Sequence, residues 1–133
     1  MAMAIHDKSR WPIVIVHMPA GSMTTAEFDH HLQLLAGYLR RGEAHALVVE
    51  LGDSDLVGEN RRQLAEHYRI HAAAVKSCLR AVALICRTPI HRAMYGAIDA
   101  MLGSPYPLRG FTSREEAEAW ASQVVANRPS SSP

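Results

Sequence analysis

Two short apolar runs constrain the fold of this chain more than any other feature. They read Ala-Leu-Val-Val-Glu-Leu from Ala46 to Leu51 and Ala-Val-Ala-Leu-Ile-Cys from Ala81 to Cys86. Runs of this length, rich in aliphatic side chains, are typical of strands that are buried on both faces of a parallel sheet. Helices must cover both faces of such a sheet, so the two runs predict an α/β protein.

Helical patterns alternate with these strands. The first predicted helix starts at a Thr24–Glu27 capping box and ends at Gly42; its apolar face is Phe28, Leu32, Leu35 and Leu39. The second runs from Glu59 to Ser77, with an apolar stripe of Leu64, Tyr68, Ala72 and Val75. A third follows Pro89 and ends near Gly103. The fourth starts at Thr112 or Ser113, with Ala117, Trp120, Ala121, Val124 and Val125 facing inward.

The two ends of the chain complete the predicted order. Met3 to Ile5 and Pro12 to Met18 form an N-terminal hairpin around a polar turn at Asp7 to Arg10, and Leu108 to Phe111 is a short last strand. The order is ββαβαβαβα, which predicts one domain over residues 1–127 with a mixed, mostly parallel sheet and four helices. Residues 128–133, Arg-Pro-Ser-Ser-Ser-Pro, are predicted to be a disordered tail.

Charge and composition exclude several classes of function. Lysine and arginine number 14 against 13 acidic residues, a net charge of +1, and no basic block is present. This balance argues against nucleic-acid binding, which needs a concentrated basic face. The apolar runs are too short to span a bilayer, so membrane insertion is not predicted either. Cys78 and Cys86 flank one predicted strand, which places them too far apart for a disulfide. The sequence also lacks the apolar h-region of a secretory signal, so we expect a cytoplasmic protein. Glycine-rich nucleotide motifs are absent, and no cofactor is predicted.

The pattern of elements resembles the STAS/SpoIIAA-like domain family. The resemblance rests on the hairpin with Arg10-Trp11-Pro12, the two buried strands, and the closing segment Phe111-Thr-Ser-Arg-Glu-Glu-Ala-Glu-Ala-Trp120. The family includes anti-sigma factor antagonists and is related in fold to the lipid-binding CRAL-TRIO proteins. The resemblance therefore implies a STAS-like single domain that acts by binding a protein partner.

The resemblance also implies a phosphorylation site at Ser54. In the antagonists, a serine within Asp-Ser-Ser-Gly is phosphorylated at the start of the helix that follows the central strand. Here the loop reads Gly-Asp-Ser-Asp-Leu-Val-Gly from Gly52 to Gly58, so Asp55 replaces the second serine. Because Asp53, Asp55 and Glu59 oppose a phosphate by like charge, a turn and capping role for Ser54 is the alternative.

Other candidate residues lie in loops at the carboxyl ends of the predicted strands, where open α/β sheets bind ligands. We predict partner contacts at Asp53, Ser54, Asp55, Arg61 and Arg62, and ligand contacts at Met18, Met23, Arg87 and His91. His67 and His71 have the i, i+4 spacing of a pair of metal ligands. They lack a third ligand in the sequence, and the alternative is that they flank a packed helix face.

These observations predict a non-enzymatic regulatory or scaffold module that binds a protein partner through the second helix and the Gly52 to Gly58 loop. Homodimerisation through an exposed sheet edge or a helix face is also open. Two alternatives remain: a binding protein for lipid or another small apolar ligand, and an enzyme that uses His91 or the His67/His71 pair.

Overall fold

One five-stranded sheet organises the chain. The computed structural model describes residues 3–54, 58–86, 88, 93 and 106–126. The strands are β1 (Ile5–Arg10), β2 (Ile13–His17), β3 (His45–Glu50), β4 (Leu79–Ile85) and β5 (Leu108–Phe111), in the spatial order β1-β2-β3-β4-β5. β1 is antiparallel to β2, and all the other neighbours are parallel. The predicted mixed, mostly parallel sheet is confirmed.

Helices cover both faces of the sheet. Within the described residues they are α1 (Thr25–Arg40), α2 (Gly58–Ile70), α3 (Ala72–Cys78) and α4 (Arg114–Ala126). α1 and α3 bury side chains in the core on one face, and α4 packs on the other. The helix predicted between residues 89 and 103 lies almost entirely outside the described residues. No helix in the described part of the chain has the length and apolarity needed to cross a bilayer.

The central strands alternate between two apolar cores. Val14, Val16 and Leu47 face the α1 side, and Ile15 and Val48 face α4. Small side chains meet across the second core, where five alanines are fully buried: Ala46, Ala81, Ala83, Ala117 and Ala121. Ile13, Ile15 and Ile85 pack among these alanines, so small and large aliphatic side chains together join α4 to the sheet. The prediction that both faces of these strands are buried is confirmed.

The predicted N-terminal hairpin is present, but the predictions of its first strand and its turn are wrong. The first strand is Ile5–Arg10 rather than Met3 to Ile5, and the turn falls at Trp11 and Pro12, joined by a cis peptide bond, rather than at Asp7 to Arg10. Polar residues are common on an edge strand, which is why this segment resembled a turn. The turn chemistry itself is present, since Asp7 Oδ1 accepts from Ser9 N at 2.9 Å where the β1–β2 register is irregular.

Packing around Trp11 accounts for the position of the turn. The Trp11 ring stacks on the His45 ring with centroids 5.2 Å apart. The Arg41 guanidinium lies over the Trp11 ring, 3.9 Å from its centroid. Tyr38 adds a tilted contact at 6.1 Å. These contacts hold the turn against the end of α1 and the start of β3, so the strand must continue up to Arg10.

The predicted helix from Glu59 to Ser77 is also wrong, because it is two helices. His71 separates α2 from α3 with φ −103° and ψ 22°. In the predicted stripe, Val75 is buried but Ala72 is exposed. The buried residues are Asn60 and His67 in α2 and Val75 and Cys78 in α3, so the predicted stripe does not run through both helices.

The capping box of α1 provides a direct test of the local sequence signal. The Thr24 hydroxyl accepts from Glu27 N at 3.1 Å, and Glu27 Oε1 accepts from Thr24 N at 2.8 Å. Replacing Thr24 with Ala leaves the Glu27 N–H without its side-chain acceptor, so Thr24→Ala should lower the free energy of unfolding by about 1 kcal/mol. Urea unfolding measures this loss. Thr25→Ala, one residue into the exposed helix surface, is the matched control, and an equal loss in both variants would contradict the capping role.

Candidate functional site

Two loops are joined at the carboxyl edge of the sheet. They follow β2 and β3, and backbone bonds run from Met18 N to Glu50 O and from Gly21 N to Asp53 O, both at 3.0 Å. Gly21 also forms an isolated parallel bridge with Ser54. Because β2 to β5 are parallel, their carboxyl ends meet at this edge, which is where open α/β sheets place ligand sites. The edge therefore has a fixed backbone frame.

The predicted partner-binding residues differ in exposure. Asp53, Arg61 and Arg62 are exposed, and Arg62 pairs with Glu59 on the same helix at 3.1 Å. Ser54 is buried, and Asp55 lies outside the described residues. The structure thus leaves one acidic and two basic side chains of the set at the surface near the start of α2.

Ser54 lies in the interior, with 5% of its surface exposed. Its backbone N donates to Leu51 O at 2.9 Å, and its hydroxyl has no hydrogen-bond partner among the described residues. A hydroxyl in this position is not presented to a kinase. The burial of Ser54 favours the turn role over phosphorylation.

The predicted ligand-binding residues are not gathered into one described pocket. Met23 is buried in the core on the α1 side, and Met18 is partly buried against the same core. Arg87 and His91 lie outside the described residues. Of the predicted ligand set, Met18 is the described side chain that keeps partial exposure.

His67 and His71 do come together. Their ring centroids are 4.8 Å apart, and His67 is 7% exposed. No group of three or more His, Cys, Asp or Glu side chains in the described part of the chain is arranged to hold a metal ion. Burial lowers the pKa of His67 to about 4. The neutral ring of His67 therefore fills part of the α2 packing face.

A groove of about 240 Å³ lies between α1 and α2. Leu32 and Ala36 supply its buried apolar side, while Asp29, Glu66 and Ile70 lie at the surface. Ile70 is 61% exposed, one of two large apolar side chains exposed in the described residues. The groove thus combines apolar and charged groups on an accessible helix face.

Two side-chain amides connect α2 to α1 beside this groove. Asn60 Nδ2 donates to Gln63 Oε1 at 3.0 Å, and Gln63 Nε2 donates to Thr25 O at 2.9 Å. Asn60 is buried, with 1% exposure. These bonds tie the start of α2 to the start of α1 through Gln63, which lines the groove.

A buried histidine–tyrosine network attaches β1 to α1. His6 Nδ1 lies 2.7 Å from the Tyr38 hydroxyl, and His6 Nε2 lies 2.9 Å from His31 Nδ1. A neutral imidazole has one donor and one acceptor nitrogen, so the bonds run in one direction through His6. Burial lowers the pKa of His6 to about 4 and that of His31 to about 3. The network is a neutral structural clamp.

Sequence reasoning missed this network, although one signal was present. His31 follows Phe28 by three residues and precedes Leu35 by four, which places it on the buried stripe of α1. His6 has no such signal because it lies on a polar edge strand. Its partners are 25 and 32 residues away in the sequence.

A second pair missed by sequence reasoning lies at the carboxyl edge. His17 Nδ1 is 3.1 Å from Glu50 Oε1, and the two side chains are 34% and 35% exposed. His17 ends β2, Glu50 ends β3, and the two residues are directly paired in the parallel register. Only the pairing of the strands brings the two side chains together.

Comparison with known proteins identifies the fold. No family model matches the sequence, and no curated protein matches it. Among solved structures, the chain is similar to an uncharacterized protein of the DUF3478 family with a SpoIIAA-like fold from Shewanella loihica PV-4. The TM-score is 0.70 at 12% sequence identity, over 91% of this chain and 95% of that chain. The protein therefore has a SpoIIAA-like α/β fold, as its resemblance to STAS domains predicts.

The buried histidines predict a loss of stability in mild acid. The pKa values of His6, His31 and His67 are lowered in the folded chain, whereas unfolded histidines titrate near 6.5. The unfolded state therefore binds more protons as pH falls from about 6.5 toward 4, and stability falls with it. Each histidine contributes a slope of up to about 1.4 kcal/mol per pH unit.

Urea unfolding between pH 7.5 and pH 5 measures this slope. We expect His31→Gln to reduce it more than His30→Gln, which removes only an exposed neighbour whose charge adds to the lowering at His6 and His31. A slope that is the same in wild type and His31→Gln would contradict the assignment of His31 as a buried neutral group.

Ser54 provides a separate test. Ser54→Asp places a carboxylate in a site with 5% exposure, so we expect the free energy of unfolding to fall by about 2 kcal/mol or more. Ser54→Ala removes a hydroxyl without a described partner and should change stability little. Thermal melts followed by circular dichroism measure both variants. A Ser54→Asp variant that melts at the same temperature as wild type would show that Ser54 is accessible and would favour phosphorylation.

Proposed function

We propose that this protein is a non-enzymatic regulatory or scaffold module that binds a protein partner through α2 and the loop at residues 52–58. The groove between α1 and α2, with the exposed Ile70 at its surface, is the observation that carries the proposal. Its volume, about 240 Å³, is below the roughly 300–1,000 Å³ of small-molecule pockets. A groove of this size suits an inserted side chain of a partner.

The surface beside the groove carries paired charges. Arg62 and Arg69 form ion pairs with Glu59 and Glu66 along α2. Pairs with both members exposed contribute little to stability, so their charges remain available to orient a partner. A rim of charges around an apolar contact is the usual anatomy of a protein interface.

The other candidate functions have less support from the described residues. A small cavity on the α1 side, lined by Leu35, His45 and Tyr68, has a volume of about 10 Å³, which is room for one water molecule rather than a lipid. The His67/His71 pair has no third metal ligand in the described residues.

Location and assembly are part of the proposal. We place the protein in the cytoplasm, which is consistent with two buried cysteines that form no disulfide. Self-association is open through β1, the edge strand, where Ile5 is 66% exposed. Neither nucleic acid nor the membrane interior is proposed as a partner.

Charge reversal at the proposed surface tests the function. The double variant Asp53→Arg/Arg62→Glu keeps the net charge but inverts the pattern beside α2. All affected side chains are exposed, so the melting temperature should stay within a few degrees of wild type. We expect at least about tenfold lower recovery of a specific polypeptide from lysate of the source organism, measured by quantitative mass spectrometry.

A matched control separates this surface from general charge effects. Lys8→Glu/Glu115→Arg makes the same kind of exchange at two exposed positions on β1 and α4. The same polypeptide should be recovered with wild type and with this control. A second surface variant, Ile70→Asp, should lose it as well. Equal recovery by all four proteins would rule out α2 as the contact surface.

A further inference from the structure

The His17–Glu50 pair is a reactive group that the proposed function does not use. His17 Nδ1 and Glu50 Oε1 are 3.1 Å apart, and about one third of each side chain is exposed. The described residues offer no hydrogen-bond partner to His17 Nε2. The pair therefore combines a fixed imidazole with an accessible second nitrogen.

The backbone holds this pair in place. Met18 N donates to Glu50 O at 3.0 Å, and Leu51 N donates to Ile85 O at 3.3 Å. The two residues are therefore anchored at the ends of neighbouring central strands, β2 and β3. A group on this frame is preorganised in a way that a histidine on a surface helix is not.

The carboxylate decides which nitrogen of His17 is reactive. A neutral imidazole that donates Nδ1–H to Glu50 keeps its lone pair on Nε2. The same carboxylate stabilises positive charge on the ring when Nε2 forms a new bond. This is the arrangement of an activated nitrogen nucleophile.

We propose that His17 Nε2 accepts a phosphoryl group from a phosphoramidate donor and that Glu50 is the positioning residue. The other described nucleophile at this edge, Ser54, is buried. The first residues of α1 and α2 follow the same edge, and the positive ends of helix dipoles favour an added anion. Asp53 opposes it, but this carboxylate is exposed and its charge is screened by solvent.

The transfer balances without a further reactant. The Nε2 lone pair forms the new N–P bond, and the P–N bond of the donor breaks. The electron pair of the P–N bond stays on the donor nitrogen. That nitrogen takes up a proton from water and departs as ammonia. Nδ1–H remains bonded to Glu50, whose charge offsets the positive charge on the phosphorylated ring.

Incubation of the full chain with potassium phosphoramidate tests the proposal. We expect intact-mass spectrometry to show one added phosphoryl group that is lost in acid and stable in base, as a phosphohistidine is. Peptide fragmentation should place it on His17. Glu50→Gln keeps an acceptor for Nδ1–H but removes the charge, so it should slow the modification about tenfold.

Two variants complete the experiment, with circular dichroism to verify folding. His17→Gln should lose the modification, and His30→Gln, which removes an exposed histidine without a carboxylate partner, should keep it. Site assignment on the wild-type chain supports or overturns the proposal even if His17→Gln does not fold. Phosphorylation spread evenly over the exposed histidines, or an unchanged rate in Glu50→Gln, would overturn it.

Discussion

The burial of β2, β3 and β4 on both faces is the constraint on which the rest of the structure depends. The side chains of these strands alternate between the α1 core and the α4 core, and the middle of each strand is apolar. Polar residues lie at the strand ends: His45 and Arg80 at the amino edge, and His17 and Glu50 at the carboxyl edge. The same burial that stabilises the sheet thus restricts polar side chains on these strands to its two edges.

Histidines serve two different purposes in this fold, and their surroundings separate them. His6, His31 and His67 are neutral packing groups, since burial lowers the pKa of each. His6 and His31 compensate for a polar edge strand that has few apolar contacts of its own. His17 is half-exposed and bonded to a carboxylate, an environment that supports reactivity instead of packing.

Two surfaces remain for function, and they border each other where the loop at residues 52–58 follows β3. The α1–α2 groove is an apolar and charged face suited to a partner side chain, whereas the carboxyl edge carries the His17–Glu50 pair. The SpoIIAA-like neighbour shares the fold at 12% identity, which carries no information about either surface. The two proposals therefore rest on the side chains of this chain alone and stand or fall separately.

The sequence by itself determined the parallel sheet, the capping box at Thr24 and the apolar face of α4, because these depend on spacing within one segment. It misplaced the hairpin turn and missed the break at His71, because contacts from Trp11 to His45 and from Val75 to the core decide them. The candidate sites belong to the same second group. Strand register pairs His17 with Glu50, and helix packing forms the groove beside Ile70, so only the tertiary structure brings these residues together.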